Sequence, residues 1–261
     1  MVVDWVSALI LAFVQGMAEW FPISSSGHLV ITEKMLGVSG GLALEVALHF
    51  GTLMAVFVYF GKDIVNILRD IFSARWGSEN GRLGLMLLFA SVPAGIVGFF
   101  VKSYFDTVLS ELFVVGVGFG ITAMLLFISG AHHGKGFGVE RLSFWRAFLI
   151  GCAQAFAILP GVSRSGSTIS SGVLLGLEEK SAMKFSFLLS IPVILGASLV
   201  TLGNGPMPLS FLPATLLSFA VGICAIHFVF TRGLNKRKNF KWFGAYALLL
   251  GLALLIWELI G

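Results

Sequence analysis

Six uninterrupted apolar stretches constrain the fold of this chain more than any other feature. They cover about residues 42–60, 83–101, 112–130, 185–202, 210–230 and 242–260. A helix of about 20 apolar residues spans a hydrocarbon core of about 30 Å, and only 11% of the residues in this chain are charged. The sequence therefore predicts an all-α integral membrane protein with six full transmembrane helices, built as a single polytopic domain over residues 1–261.

Two further apolar segments, 5–36 and 147–177, are each interrupted in the middle by a cluster of Pro, Gly and Ser. Irregular backbone at membrane depth is tolerated only where protein buries it or where it lines a cavity. Each segment therefore predicts two short helices joined by a turn, and we expect both to be re-entrant helix pairs.

The positive charges predict how the chain is oriented in a plasma membrane. Fourteen of the 17 Lys and Arg residues fall in four segments, which are 61–82, 131–146, 180–184 and 231–241. If all four face the cytoplasm, the six spans alternate without contradiction, and only Lys34, Lys102 and Arg164 lie elsewhere. Orientation thus explains the net charge of +4, and we expect no binding of nucleic acid.

The two interrupted segments are copies of each other. A shift of 139 positions aligns "QGMAEWFPISSSGHLVI" (15–31) with "QAFAILPGVSRSGSTIS" (154–170). Three spans follow each copy, and an odd number of spans inverts the second copy relative to the first. We expect an inverted-topology repeat, with repeat one at about 1–130 and repeat two at about 140–261. The two clusters would then meet near the midplane, as they do in transporters.

The polar residues of the two clusters predict a site for an anion. Close helix packing accounts for Gly and Ser, but not for Glu19, His28 and Arg164 within the membrane. An Arg fork and the free N–H groups of helix ends, expected after Ser26-Gly27 and Ser165-Gly166, can bind a phosphate. Because the site is reached beside lipid, the expected ligand is an anion attached to a hydrocarbon chain.

Phosphoryl transfer needs a nucleophile, a proton acceptor and charge stabilisation. Ser25 or Ser26 is the candidate nucleophile, His28 the candidate proton acceptor and Arg164 the candidate charge stabiliser. Glu19 is a candidate ligand for a divalent cation or a candidate base. A transporter or flippase of a lipid-linked phosphate stays open as the alternative function.

Two simpler interpretations of these residues also stay open. Arg164 can form a structural ion pair with Glu19 across the repeat interface. His49, one turn after Glu45, can make a structural hydrogen bond or support the site from outside.

"EWFPISSSGH" (19–28) and "PGVSRSGSTIS" (160–170) resemble the two signature segments of the undecaprenyl-diphosphatase family, also called the bacitracin-resistance family. The likeness extends over nearly the whole chain. It implies a membrane enzyme that removes one phosphate from a C55 polyprenyl diphosphate and so regenerates the lipid carrier for cell-wall polysaccharide synthesis. The resemblance also implies a site that opens to the outer face. The expected partners are this lipid and the membrane lipids, and a homodimer stays open.

Carried over position by position, the resemblance implies Glu19, Ser25, His28, Ser163 and Arg164 as site residues. Together with the residue chemistry, it predicts two sets. The catalytic set is Glu19, Ser25, Ser26, His28 and Arg164. The phosphate-binding set is Ser24, Gly27, Ser163, Arg164, Ser165 and Gly166.

The resemblance further implies a divalent cation, Mg²⁺ or Ca²⁺. Where the family has Glu-Gly, this chain has Gln15-Gly16, and the family's Ser-Ser-Thr-Gly-His is Ser24-Ser25-Ser26-Gly27-His28 here. The amide of Gln15 keeps a carbonyl oxygen that can ligate a hard cation beside Glu19.

Overall fold

The computed structural model describes residues 3–101, 111–133, 136–202 and 208–260, and these residues are mostly helical. Lys102 and Lys135, which enter the charge argument, lie outside the described residues. The α-helices of the described part are α1 Trp5–Ala18, α2 Ser25–Leu36, α3 Gly41–Tyr59, α4 Gly61–Phe72, α5 Glu79–Val101, α6 Leu112–Ala131, α7 Phe144–Phe156, α8 Arg164–Leu174, α9 Glu179–Leu202, α10 Leu212–Phe228 and α11 Phe240–Ile260.

The prediction of six membrane-spanning helices is confirmed by length and composition. In the described residues, six helical segments are long and apolar enough to cross a membrane, and they contain α3, α5, α6, α9, α10 and α11. The largest difference is at α9, which begins at Glu179 rather than near residue 185. The first turn of α9 is polar, so hydropathy alone does not reveal where the helix starts.

The prediction that 5–36 and 147–177 each form two short helices is also confirmed, by α1 with α2 and by α7 with α8. In both pairs a serine caps the second helix. The Ser24 Oγ accepts a hydrogen bond from the Gly27 N–H at 3.3 Å, and the Ser163 Oγ accepts one from the Gly166 N–H at 3.0 Å. That the pairs are re-entrant stays a prediction.

The charged segment 61–82, which the sequence predicts as a loop between two spans, is instead helical in its first half, which forms α4. Ile64 and Ile67 are buried, whereas the charged residues Lys62 and Arg69 are exposed. This one-sided pattern is that of an amphipathic helix. A hydropathy average misses it because the charged face cancels the apolar one.

The division into two repeats stays a prediction, and the helix pairs can be described in its terms. α1 packs against α10, and α7 packs against α5. In the predicted repeat α7 corresponds to α1, and α5 corresponds to α10. The two packed pairs are therefore equivalent. The last spans of the two halves, α6 and α11, pack against each other, and a Cβ on Gly116 would lie only 3.1 Å from the Gly251 carbonyl oxygen. The inversion of one repeat relative to the other across the membrane stays a prediction.

Candidate active site

The structure brings the two signature segments together. The Ser165 hydroxyl donates a hydrogen bond to the Phe21 carbonyl oxygen at 2.9 Å. The Arg164 guanidinium donates from Nη2 to Glu19 Oε1 at 2.5 Å, although the two residues are 145 positions apart. The loop after α1 and the start of α8 therefore form one site.

Glu19 is the centre of this site, and only 7% of its surface is exposed. Besides the contact with Arg164, its second oxygen, Oε2, accepts hydrogen bonds from the Ser25 hydroxyl at 2.5 Å and from the Gln15 Nε2 at 3.0 Å. The His49 Nε2 lies 3.6 Å from the same oxygen. A buried carboxylate needs such partners, because burying an unpaired charge is costly.

The structure distinguishes the two candidate nucleophiles. Ser25 is hydrogen-bonded to the Glu19 carboxylate, which can accept its proton. The Ser26 hydroxyl lies on an exposed residue and is 3.3 Å from the Ser24 hydroxyl instead. A serine becomes a nucleophile when an adjacent base takes its proton, so the geometry favours Ser25.

Arg164 is only partly engaged by Glu19. Its side chain is 17% exposed, and the second terminal nitrogen, Nη1, is buried without a hydrogen-bond partner in the described part of the chain. The guanidinium lies over the Trp20 ring, with 5.6 Å between Cζ and the ring centroid. Trp20 is itself fully buried against Phe187. One arm of the guanidinium fork thus holds the carboxylate, and the N–H groups of the other have no acceptor among the described residues.

The helix starts differ from the sequence prediction. α2 begins at Ser25 and α8 at Arg164, so the N–H groups of Gly27 and Gly166 lie inside the first turn and donate to the capping serines. These two amides are therefore not free for a phosphate. The first four N–H groups of an α-helix have no intrahelical acceptor. Since the third residue of each helix donates to its capping serine, the amides of the first two residues are the ones left for a ligand.

Three serines predicted to bind phosphate have structural contacts. The Ser24 and Ser163 hydroxyls cap helices, and the Ser165 hydroxyl joins the two segments. Thr122 on α6 holds the second segment further, because its Oγ1 accepts from the Ser163 N–H at 2.8 Å and donates to the Gly161 carbonyl at 2.9 Å. Phosphate binding by these serines stays a prediction.

Sequence reasoning missed Tyr246, which contacts His28, and Trp20, which contacts Arg164. The His28 Nδ1 lies 2.7 Å from the Ser24 carbonyl oxygen, and its Nε2 lies 2.7 Å from the Tyr246 hydroxyl on α11. Nothing around Tyr246 in the sequence points to a site, whereas Trp20 lies within the motif and could have been proposed as an Arg164 partner. His49 makes the contacts that both of its possible roles require. Its Nδ1 lies 2.8 Å from the Glu45 carbonyl oxygen, a structural hydrogen bond, and its Nε2 lies beside Glu19.

The possible metal ligands around Glu19 fit a divalent cation only in part. The described residues contain no group of three or more His, Cys, Asp and Glu that could hold a metal. The Gln15 Oε1 is buried and has no hydrogen-bond partner in the described part of the chain. Mg²⁺ often takes one or two carboxylates and completes its shell with water and substrate phosphates. Glu19 and Gln15 thus offer two protein ligands, and a cation held there would need its remaining ligands from elsewhere; the divalent cation stays a prediction.

Residues 8–253 match the family model described as bacitracin resistance protein BacA. The chain belongs to this family. Two relatives, both named undecaprenyl-diphosphatase, are 37% identical to it. The protein from Alcanivorax borkumensis matches over 97% of this chain and 99% of its own length. That from Korarchaeum cryptofilum matches over 95% and 97%.

A third relative of this bacitracin resistance family member is the undecaprenyl-diphosphatase from Methanosphaera stadtmanae. It is 39% identical over 76% of each chain. The resemblance that the two signature segments indicate is thus confirmed.

Proposed function

We propose that this member of the bacitracin resistance family is a membrane phosphatase that hydrolyses undecaprenyl or another polyprenyl diphosphate to the monophosphate and inorganic phosphate. The observation that carries the proposal is the Ser25 hydroxyl, hydrogen-bonded to a buried carboxylate that is paired with Arg164. In the proposed reaction Ser25 is the nucleophile, Glu19 its proton acceptor and Arg164 the phosphate-binding group, and both Ser25 and Arg164 contact Glu19. The names of the relatives support the lipid diphosphate as substrate.

In the first step, the Ser25 Oγ attacks the terminal phosphorus, and its proton passes to Glu19. The bond between that phosphorus and the bridging oxygen breaks, and the lipid monophosphate leaves with the electron pair. Arg164 donates from Nη1 to the phosphoryl oxygens, where the charge of the transition state is spread. Ion pairing with Glu19 keeps the guanidinium aimed at this position.

In the second step, water attacks the phosphorus of the phosphoserine, and the neutral His28 accepts a proton from it. The bond between phosphorus and Oγ breaks, and Ser25 recovers its proton from Glu19. Inorganic phosphate leaves, and the proton on His28 returns to solvent. A divalent cation, Mg²⁺ or Ca²⁺, held by Glu19 and the Gln15 carbonyl oxygen together with the diphosphate, would supply further positive charge.

Phosphate release from purified protein in detergent tests the proposal. We expect release from undecaprenyl diphosphate in Mg²⁺ or Ca²⁺, and a loss of at least ~10³-fold in Ser25→Ala. Ser26→Ala is the matched control and should stay within about tenfold of the unsubstituted protein, because its hydroxyl does not contact Glu19. Absence of phosphate release from every polyprenyl diphosphate, with or without metal, would contradict the hydrolase.

A lipid transporter is the alternative, and the same protein in sealed vesicles distinguishes it. A transporter moves the lipid phosphate between leaflets without releasing phosphate, and it does so equally in Ser25→Ala. A hydrolase releases phosphate and loses this activity in the same variant.

We further propose that the site opens to the outer face of the plasma membrane, where it would return the lipid carrier to cell-wall synthesis and confer bacitracin resistance. The charge distribution supports an orientation in which the α2–α3 turn faces outward and α4 faces the cytoplasm. After replacement of Cys152 and Cys224, an impermeant thiol reagent should label Ser39→Cys in intact cells and Ser73→Cys only after lysis. The reverse pattern would overturn the orientation. Both serines are exposed.

A further inference from the structure

Tyr246 of α11 contacts the candidate proton acceptor His28 in two ways. Its hydroxyl oxygen lies 2.7 Å from the His28 Nε2, across 218 positions of sequence. The two rings are also nearly parallel, at 9°, with their centroids 5.7 Å apart. Phe119 packs edge-on against the imidazole, with the planes at 83° and the centroids 5.3 Å apart.

The hydrogen bonds of His28 determine which of its nitrogens carries the proton. The Ser24 carbonyl oxygen, 2.7 Å from Nδ1, can only accept, so Nδ1 must donate. In the neutral ring, Nε2 then holds the lone pair and can only accept. The Tyr246 hydroxyl is therefore the donor to Nε2.

We propose that Tyr246 is a positioning residue for the phosphatase reaction. It holds His28 in the Nδ1-protonated form, with Nε2 as the nitrogen that can accept a proton. A hydroxyl suits this role better than a second base, because it donates to the lone pair in the resting state and turns away when water approaches. Burial does not account for the tyrosine, since 44% of its surface is exposed. The proposal rests on the proposed function of His28.

Tyr246→Phe removes the hydroxyl and keeps the ring, so it separates positioning from packing. We expect kcat to fall about tenfold, a part of what an acid–base group supplies, with KM and the melting temperature unchanged. Tyr59→Phe is the matched control. Tyr59 lies beside another histidine, His227, with ring centroids 6.4 Å apart, and should leave kcat unchanged.

A double-mutant cycle tests whether the effect passes through His28. In a His28→Ala background, Tyr246→Phe should cause no further loss of kcat. A purely structural role would lower kcat equally in both backgrounds and would overturn the proposal, as would an unchanged kcat in the single variant.

The nitrogen signals of ¹⁵N-histidine provide a readout that does not depend on activity. In the unsubstituted protein the His28 signals, identified by their loss in His28→Ala, should be those of the Nδ1-protonated ring. Tyr246→Phe should shift the Nε2 signal, and an unshifted signal overturns the proposal. If this shift is present but the unsubstituted protein releases no phosphate, the proposed function fails while the contact between Tyr246 and His28 stands.

Discussion

The two signature segments share one arrangement, a short helix, a turn and a serine-capped second helix, but they differ in burial and in backbone strain. α2 buries two of its 12 residues, whereas α8 buries eight of its 11. The first capping serine, Ser24, has a φ of 67°, whereas the second, Ser163, has an ordinary φ of −70°. A positive φ in a residue other than Gly is strained and is often found at functional sites.

The two signature segments also differ in the chemistry of their side chains. The first segment holds the titratable and nucleophilic groups, namely Glu19, Ser25 and His28. Two hydroxyls of α8 are tied to neighbouring helices, through the 2.6 Å contact between Thr168 and Ser186 and the 3.0 Å bond from Ser129 to Ser170. Of the second segment, all of which the structure describes, only Arg164 reaches the Glu19 carboxylate. We infer that the first segment carries the chemistry and the second is its platform.

The largest effect that would test this division comes from Glu19. We expect Glu19→Gln to lower phosphate release by ~10³-fold or more, because an amide can neither accept the Ser25 proton nor balance Arg164. Its matched variant one turn earlier, Gln15→Glu, should retain activity and depend more strongly on the metal. Steady-state kinetics over a range of Mg²⁺ and Ca²⁺ concentrations measure both. Similar activity in Glu19→Gln would show that another carboxylate is essential.

Arg164→Lys gives the next largest effect, and it tests the one catalytic side chain of the platform. Lys keeps the charge but cannot offer two parallel donors to a phosphate, so we expect kcat to fall about 10²-fold while the protein folds. Turnover per folded molecule and melting temperature, measured in parallel, check this. Near-normal turnover would remove Arg164 from the catalytic residues.

The same arginine can be tested for a purely structural role. Arg164→Leu leaves Glu19 buried without its cation, which costs ~3–5 kcal/mol in comparable buried pairs. If the ion pair is only structural, Arg164→Lys should already lower stability, and the double change to Leu at both positions should restore folding. The double variant lacks Glu19 and is inactive in either case, so it reports only on folding, and the turnover of folded Arg164→Lys reports on phosphate binding.

The smallest effect concerns the two caps and should differ in sign. Ser24→Gly relieves a positive φ that costs a non-Gly residue ~1–2 kcal/mol and loses a cap worth a few tenths relative to Gly. We expect the free energy of unfolding to stay level or rise by about 1 kcal/mol. Ser163→Gly loses its cap with no strain to relieve, so stability should fall by up to about 1 kcal/mol. Melting temperatures in one detergent compare them, and equal losses would show that the φ of Ser24 carries no strain.

Much of the fold could be predicted from the sequence because hydropathy adds up along the chain. The bilayer requires about 20 apolar residues for each crossing, so the six spans and the two interrupted segments follow from local composition. The pairing of Gln15 with Gln154 in the repeat likewise needs only one alignment of the chain with itself. α4 was missed because its apolar and charged faces cancel in a hydropathy average.

The candidate site depended on tertiary structure, because a hydrogen bond is made between atoms that the sequence does not place. The motif offered both Ser25 and Ser26 as nucleophiles, and only the fold puts the Ser25 hydroxyl on Glu19. Residue types suggested that Gly27 and Gly166 present free amides, but the capping serines take them. Tyr246 had no signal at all, since it reaches His28 only through the packing of a helix 218 positions away. Composition along one chain determines which segments enter the membrane, whereas the contacts that support chemistry arise when distant segments pack together.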